Sequence, residues 1–312
     1  MNNIAQRDAF WNKIYEIAAE DRNVVLISAD MGAPSLDKFR KDLPAQFVNA
    51  GIAEQNSVLI GAGLALKGKK VYLYAIAPFI TLRCLEQIRV ECSIMNIPMT
   101  IVGVGAGMSY EDSGPTHHVL EDIAIMRSMP NITIHNITDS VMAAAVAAMS
   151  CNIKNTTYVR IDREVFSPDI YSPDTDFTAG ASVIKAGTDC YLVSTGCMTH
   201  AALQAARRLE EKHIHTGVID IYTFPINEAF LMETLKGVKK IVSLEEHFLP
   251  GGLGSAIGEV IIDNGLPVKL RRLGISHDKG FCYKYGGREI IRAYYALDKE
   301  SIQRKIEEFL ID

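Results

Sequence analysis

The sequence predicts an α/β protein made of two consecutive, mainly parallel α/β domains. Three observations lead there. The 312 residues divide, at about 150 per domain, into roughly two units. Stretches with apolar residues at helical spacing alternate with short continuous apolar runs, the pattern of helices covering a buried parallel sheet. Midway, a segment rich in proline and aspartate carries neither period, and beyond it the alternation restarts.

In the first unit, Phe10, Trp11, Ile14, Ile17 and Ala18 recur at helical spacing and place a helix over 7–19, leading into a buried strand over 24–28. A short strand at 47–49, a helix over 54–66, a strand over 70–76, a helix over 81–95 and a strand over 98–103 follow. After a glycine-rich loop come a helix near 121–128, a strand at 132–135, an alanine-rich helix capped by Asp139 or Ser140, and a strand at 157–161. The non-periodic segment is FSPDIYSPDTDF at 166–177, which sets domains at 1–165 and 181–312 with a linker at 166–180. Strands at 190–194, 216–221 and 240–244 and helices over 200–212, 253–264 and 299–310 make up the second unit.

A formal charge of −5 gives no basic field for nucleic acid. No apolar run reaches the length of a membrane span, and the start MNNIAQRDAF lacks a signal-peptide core, so a cytoplasmic protein is expected. Six cysteines form no CxxC pair and read as reduced, structural thiols.

Five segments could carry chemistry. In NAGIAEQNSVLIGAGLAL at 49–66, Glu54 opens a helix beside the positive end of its dipole. A first-turn acid is common, but apolar neighbours on both sides imply partial desolvation and a proton held more tightly, which suits a group sharing a proton with a ligand nitrogen. Phe79 lies just past a strand end, where ligands of open parallel sheets bind, and is either a stacking plate or a core aromatic. Gly103, Gly105 and Gly107 have GxGxG spacing with no helix directly after, which excludes a dinucleotide fingerprint. The loop ends in His117 and His118, a proton carrier or a surface pair, with no metal-ligand spacing. Arg160 and Arg163 follow a strand and are either a phosphate fork or a salt-bridged rim. The GGxG at 251–254 reads as a tight strand-to-helix turn.

Together GIAEQ at 51–55, PF at 78–79, GPTHH at 114–118, EDIAIMRSMPN at 121–131, YVRIDR at 158–163 and SLEEHFLPGGLGSAIGE at 243–259 resemble the C-terminal half of transketolases, in order and spacing, across essentially the whole chain. The resemblance implies a thiamine-diphosphate pyrimidine-binding domain followed by a transketolase C-terminal domain, and transfer of a two-carbon ketol unit between sugars, with sugar phosphates as the expected class. It implies that Glu54 hydrogen-bonds the aminopyrimidine and promotes its imino tautomer, that Phe79 stacks on the ring, and that Asp30, Ile52 and Arg83 belong to the cofactor site. His117 would contact the donor oxygen and assist proton transfer, with His118 second in line; Arg7 and Arg160 match arginines near the substrate phosphate.

Ser113 stands where transketolases carry an acid, and a family histidine is missing near 104–106, so the resemblance leaves the sugar open. No GDG motif occurs in the chain. Since the family binds the diphosphate and its Mg²⁺ or Ca²⁺ through GDG and a later asparagine, the resemblance implies a separate N-terminal subunit, with a homodimer or an α₂β₂ heterotetramer as the assembly. Rival readings are a 2-oxo acid dehydrogenase E1 β-like subunit, a 1-deoxy-D-xylulose-5-phosphate synthase-like chain, and a non-catalytic partner-binding homologue.

Overall fold

Runs of five or six apolar residues bury both faces of a strand, and here they pair in parallel at the centres of two sheets. The structure, a computed structural model, describes residues 4–166 and 168–311. Residues 1–3 and 312, at the outer limits of the expected domains, and Ser167 in the expected linker lie outside the described residues. The strands are β1 (Val24–Ser28), β2 (Phe47–Asn49), β3 (Lys70–Ile76), β4 (Thr100–Val104), β5 (Ile132–Asn136) and β6 (Thr156–Ile161), then β7 (Ala181–Lys185), β8 (Cys190–Ser194), β9 (Thr216–Ile221), β10 (Thr223–Phe224), β11 (Lys240–Phe248) and β12 (Lys269–Ile275).

The first sheet runs β10-β5-β6-β4-β3-β1-β2 and the second β12-β11-β8-β9-β7. Among the described residues two edge pairs of strands are antiparallel, β10 with β5 and β7 with β9. β10 follows β9 directly yet joins the first sheet, so the second unit is stitched to the edge of the first. One apolar core does the same, running from Val58, Leu73 and Tyr158 to Ile219, Phe224 and Leu253. On the opposite face of the first sheet Phe10, Trp11, Tyr72 and Tyr74 interlock edge to face, with Phe39 in the same core.

The expected helices at 7–19 and 54–66 form as Gln6–Glu20 and Glu54–Leu66. Asp139, rather than Ser140, caps the alanine-rich helix Ser140–Met149: its Oδ1 accepts the Met142 N–H at 2.8 Å. Its Oδ2 takes the N–H groups of Ile170 and Tyr171, so the segment expected as a linker is anchored, and it buries Tyr171 and Phe177. The helix expected over 81–95 is instead broken into Ala77–Ile80, Leu85–Gln87 and a π-helical stretch Ile88–Ile94. Apolar spacing does not register this change of pitch. β11 continues four residues past its expected end, because Glu245, Glu246 and His247 are paired inside the protein. The periodicity does not reveal β12, whose KLRRLGI suits a charged edge strand, or the helices Pro34–Asp42, Glu228–Thr234 and Arg288–Tyr294. All six cysteines are buried free thiols. No helix among the described residues is long and apolar enough to cross a membrane.

Asp220 lies fully buried on β9, accepting hydrogen bonds from Thr138 Oγ1 at 2.6 Å, Tyr171 Oη at 2.8 Å and Thr199 Oγ1 at 2.9 Å. Burial outweighs these bonds and raises its pKa to about 7. The folded state therefore holds this proton more tightly than the unfolded chain, and the contribution of Asp220 to stability falls as pH rises from about 4 to about 7. In denaturant titrations at about pH 5 and pH 8, Asp220→Asn is expected to gain stability relative to the parent at the higher pH; an identical difference at both values would refute this.

Candidate active site

Four loops leaving strand ends of the first sheet meet at one edge. After β2, residues 50–53 deliver Glu54 to the first position of its helix, where it is 4% exposed. Its Oε2 accepts Arg83 Nη1 at 2.7 Å, and among the described residues Oε1 has no protein partner. After β3, the turn Ala77–Ile80 carries Phe79, and the Arg83 guanidinium lies 4.3 Å from its ring centroid. The loop after β4 brings His117 against Phe79, with ring centroids 5.1 Å apart, and Tyr110 against His117 at 5.9 Å. From beyond β6, Arg163 covers Tyr110 at 4.5 Å while its Nε donates to the Ser109 carbonyl at 3.0 Å. Glu54, Arg83, Phe79 and His117 are thus one continuous cluster, extended by Tyr110 and Arg163.

The glycine loop makes this approach feasible. Gly105 has a φ of +94°, and a Cβ there would lie 2.2 Å from Tyr110 Cε2, so the edge of the ring packs against bare backbone. Gly107 has a φ of +59°, and a Cβ there would meet Glu246 Oε2 at 2.5 Å.

The other expected residues divide into near and far. Asp30, in the left-handed region at φ 56°, accepts from Asn49 Nδ2 at 3.0 Å on the exposed rim, and Ile52, in the loop after β2, is 80% exposed. Arg7 is half-buried, bonds Asp8 through Nε at 3.0 Å, and lies close enough to Tyr110 and Tyr74 to act on them electrostatically. His118 is buried: its Nε2 bonds the Tyr110 carbonyl oxygen at 3.2 Å, its Nδ1 has no partner, and burial lowers its pKa.

Arg160 corrects the expectation of a phosphate contact at the rim. It is 3% exposed; Nε donates to Asp122 Oδ2 at 2.7 Å, and its remaining groups reach Asn136 Oδ1 and the carbonyls of Val119 and Glu246. It does stand at a strand end, but β6 lies between β5 and β4, and its end is roofed by the second unit. The GGxG turn likewise keeps its amides for itself. Glu245 accepts the N–H groups of Leu253 at 2.6 Å and Gly254 at 2.9 Å, with its pKa raised to about 7 by burial. Sequence reasoning missed Tyr110, Asp162, Glu246 and Arg288; the one available signal was a double acid, Glu245 and Glu246, inside an apolar run.

Residues 2–167 match the transketolase pyrimidine binding domain, and residues 179–302 match the transketolase C-terminal domain. The chain belongs to the transketolase family. Its function is of the thiamine-diphosphate-dependent transketolase type. It is 35% identical over 313 residues to one of the subunits of an apulose-4-phosphate transketolase from Phocaeicola vulgatus, covering 99% of this chain and 98% of that one. It is 30% identical over 305 residues to a 6-deoxy-6-sulfo-D-fructose transketolase subunit of a Clostridium species, covering 97% and 93%. A solved split-gene transketolase, described as an inactive β4 tetramer, superposes with a TM-score of 0.86 at 30% identity over 99% of each chain.

The cluster suits one end of thiamine diphosphate. A nearly buried carboxylate with an oxygen to spare, next to an aromatic plate, matches a planar ring that carries N–H and amino donors. Among the described residues no three His, Cys, Asp or Glu side chains gather as a metal site. Within this transketolase-family site the Tyr110 packing is directly testable. Gly105→Ala is expected to displace the ring and cost about 1–3 kcal/mol in denaturant titration; unchanged stability would show that Tyr110 does not need bare backbone beneath it.

Proposed function

We infer that this chain is the pyrimidine-binding subunit of a two-subunit transketolase that moves a two-carbon ketol unit between sugar phosphates. What carries the reading is that both C-terminal transketolase domains and the Glu54–Phe79 cluster are present in a chain whose sequence contains no GDG motif.

When bound, thiamine diphosphate supplies a nucleophilic carbon and an electron sink for carbon–carbon cleavage. The rest falls to side chains. Glu54 Oε1 holds a proton at the pyrimidine nitrogen, and Arg83, anchored through Oε2, fixes the carboxylate's orientation. Phe79 would supply the stacking face, and Asp30 and Ile52, on the exposed rim, would complete the cofactor site. His117 stands at the mouth, between Phe79 and Tyr110, to hold or hand over a proton at the donor sugar's oxygen, with His118 buried behind it. With Arg160 committed inside, Arg7 and Arg163 are the cations this reading offers to a phosphate. Both are paired with carboxylates that a phosphate would displace or share.

The diphosphate and its Mg²⁺ or Ca²⁺ are assigned to a cytoplasmic partner that carries the GDG motif and a later asparagine, in an α₂β₂ assembly. The surface supports a partner here. Ile52, Leu59, Leu85, Ile94 and Met95, all on the elements that flank Glu54, are exposed.

Two measurements test the reading. Calorimetric titration of the chain alone with thiamine diphosphate and Mg²⁺ is expected to show no tight binding, and addition of the partner to create it; tight binding by the isolated chain would sink the two-subunit scheme. In the reconstituted pair, Glu54→Gln is expected to lower kcat by at least about 100-fold while leaving subunit affinity unchanged. Parent-like turnover would remove Glu54 from its role, and release of carbon dioxide from pyruvate would overturn the ketose donor.

A further inference from the structure

A second group of buried charges lies where the second unit meets the loop after β4. Glu246, on β11, accepts the backbone N–H of Met108 at 3.2 Å through Oε2. The same carboxylate takes Arg288 Nη2 at 2.7 Å and Arg292 Nε at 2.6 Å. Arg288, buried at the start of the helix Arg288–Tyr294, reaches back across the junction. Its Nη1 donates to Asp162 Oδ2 at 2.7 Å and Glu164 Oε1 at 3.0 Å, and its Nη2 to the Ala106 carbonyl at 3.4 Å. Asp162 Oδ1 in turn accepts Ser109 Oγ at 2.6 Å.

Ala106, Met108 and Ser109 are therefore all held by groups outside their loop. Gly107 between them has no room for a side chain against Glu246. The next residue, Tyr110, bonds His118 through its carbonyl and packs against His117 through its ring. A chain of direct contacts thus runs from the second unit to the histidine at the mouth of the site.

A buried ion cluster is weak evidence for stability, because desolvation offsets much of its attraction, but removing one member leaves an unpaired buried charge. The cluster is complete only with the loop in this one conformation. We propose that Glu246 and Arg288 are positioning residues: the second unit holds the loop after β4 so that Tyr110 and His117 face Phe79. The effect on turnover rests on the role given to His117; the holding of the loop does not.

Hydrogen exchange read by mass spectrometry on the full chain separates the two. Glu246→Gln is expected to speed exchange of amides within 105–118 at least about tenfold while peptides from β1, β3 and β8 keep parent rates. Arg288→Lys keeps the charge but loses the fork, and should give the same local pattern. Arg292→Lys, at the half-buried margin, is the variant to read if either of these fails to fold, with a smaller rise confined to the same peptides. In the reconstituted enzyme Glu246→Gln should lower kcat with KM for the cofactor unchanged. Parent-like exchange in the loop, or faster exchange spread through both sheets, would overturn the proposal. A loosened loop with unchanged kcat would overturn its link to His117 while leaving Glu54 and the cofactor assignment standing.

Discussion

Because β1, β2, β3, β4 and β6 run parallel, every segment leaving a strand's carboxyl end emerges on the same edge of the first sheet. Asp30, residues 50–53, Phe79, the glycine loop and Arg163 come from five such segments, separated by up to 133 positions in the chain (163 − 30) and gathered by strand direction alone. No long-range feature of the sequence beyond the pairing of the strands is needed to assemble the cluster. What strand direction does not set is how each side chain is oriented once it arrives. That is the work of the Glu54–Arg83 pair, the bare backbone at Gly105 and the charged junction below the loop.

The buried charges differ in how far they can move. Arg83 joins Glu54 from a side chain that is 43% exposed, so its guanidinium stays within reach of water and the pair is only partly desolvated. Arg160 and Asp122 are both out of water, and Tyr158 adds a further hydrogen bond to Asp122 Oδ2 at 2.7 Å. Separating that pair would strand two charges in a low-dielectric setting, so it belongs to the frame. Glu246 is of the second kind. Arg288 and Arg292 overcome the cost of its burial and hold its pKa far below the usual carboxylate range. His247, next in the strand, shows the other outcome: burial outweighs the nearby Asp122 charge and pushes its pKa down to about 4, leaving a neutral ring that accepts the Ala124 N–H at Nε2.

Residues whose place in the cluster follows from a strand end were legible. Glu54, Phe79 and His117 each follow an apolar run, and the alternation of helices and strands located those runs closely. Arg160 shows the limit of the same rule. It ends an apolar run too, but whether a strand end is open or roofed depends on which part of the chain covers it, and the cover here is Glu246, 86 positions away. The alternation inside YVRID held a hint, since Tyr158 and Arg160 share one face of the strand and both reach Asp122. Arg288 had no such signal: it sits in GGREIIR, a short helix after an aromatic loop, and its partners lie 42, 124 and 126 positions upstream. Pairing between distant charges has no period, so only the fold reveals it.

The same distinction bears on why such an active site can be divided between chains. A site cut through a frame pair such as Arg160–Asp122 would leave each half with an unpaired buried ion, and neither half would fold well alone. Here the described frame pairs close within one chain: Asp122 with Arg160, Asp162 and Glu246 with Arg288, and Asp139 with its own helix and the segment after β6. At the edge that holds Glu54, its nearly buried Oε1 has no protein partner among the described residues, and Ile52 and Leu59 nearby in the chain are exposed. Exposed apolar side chains such as these tolerate water in a single chain and gain from being covered.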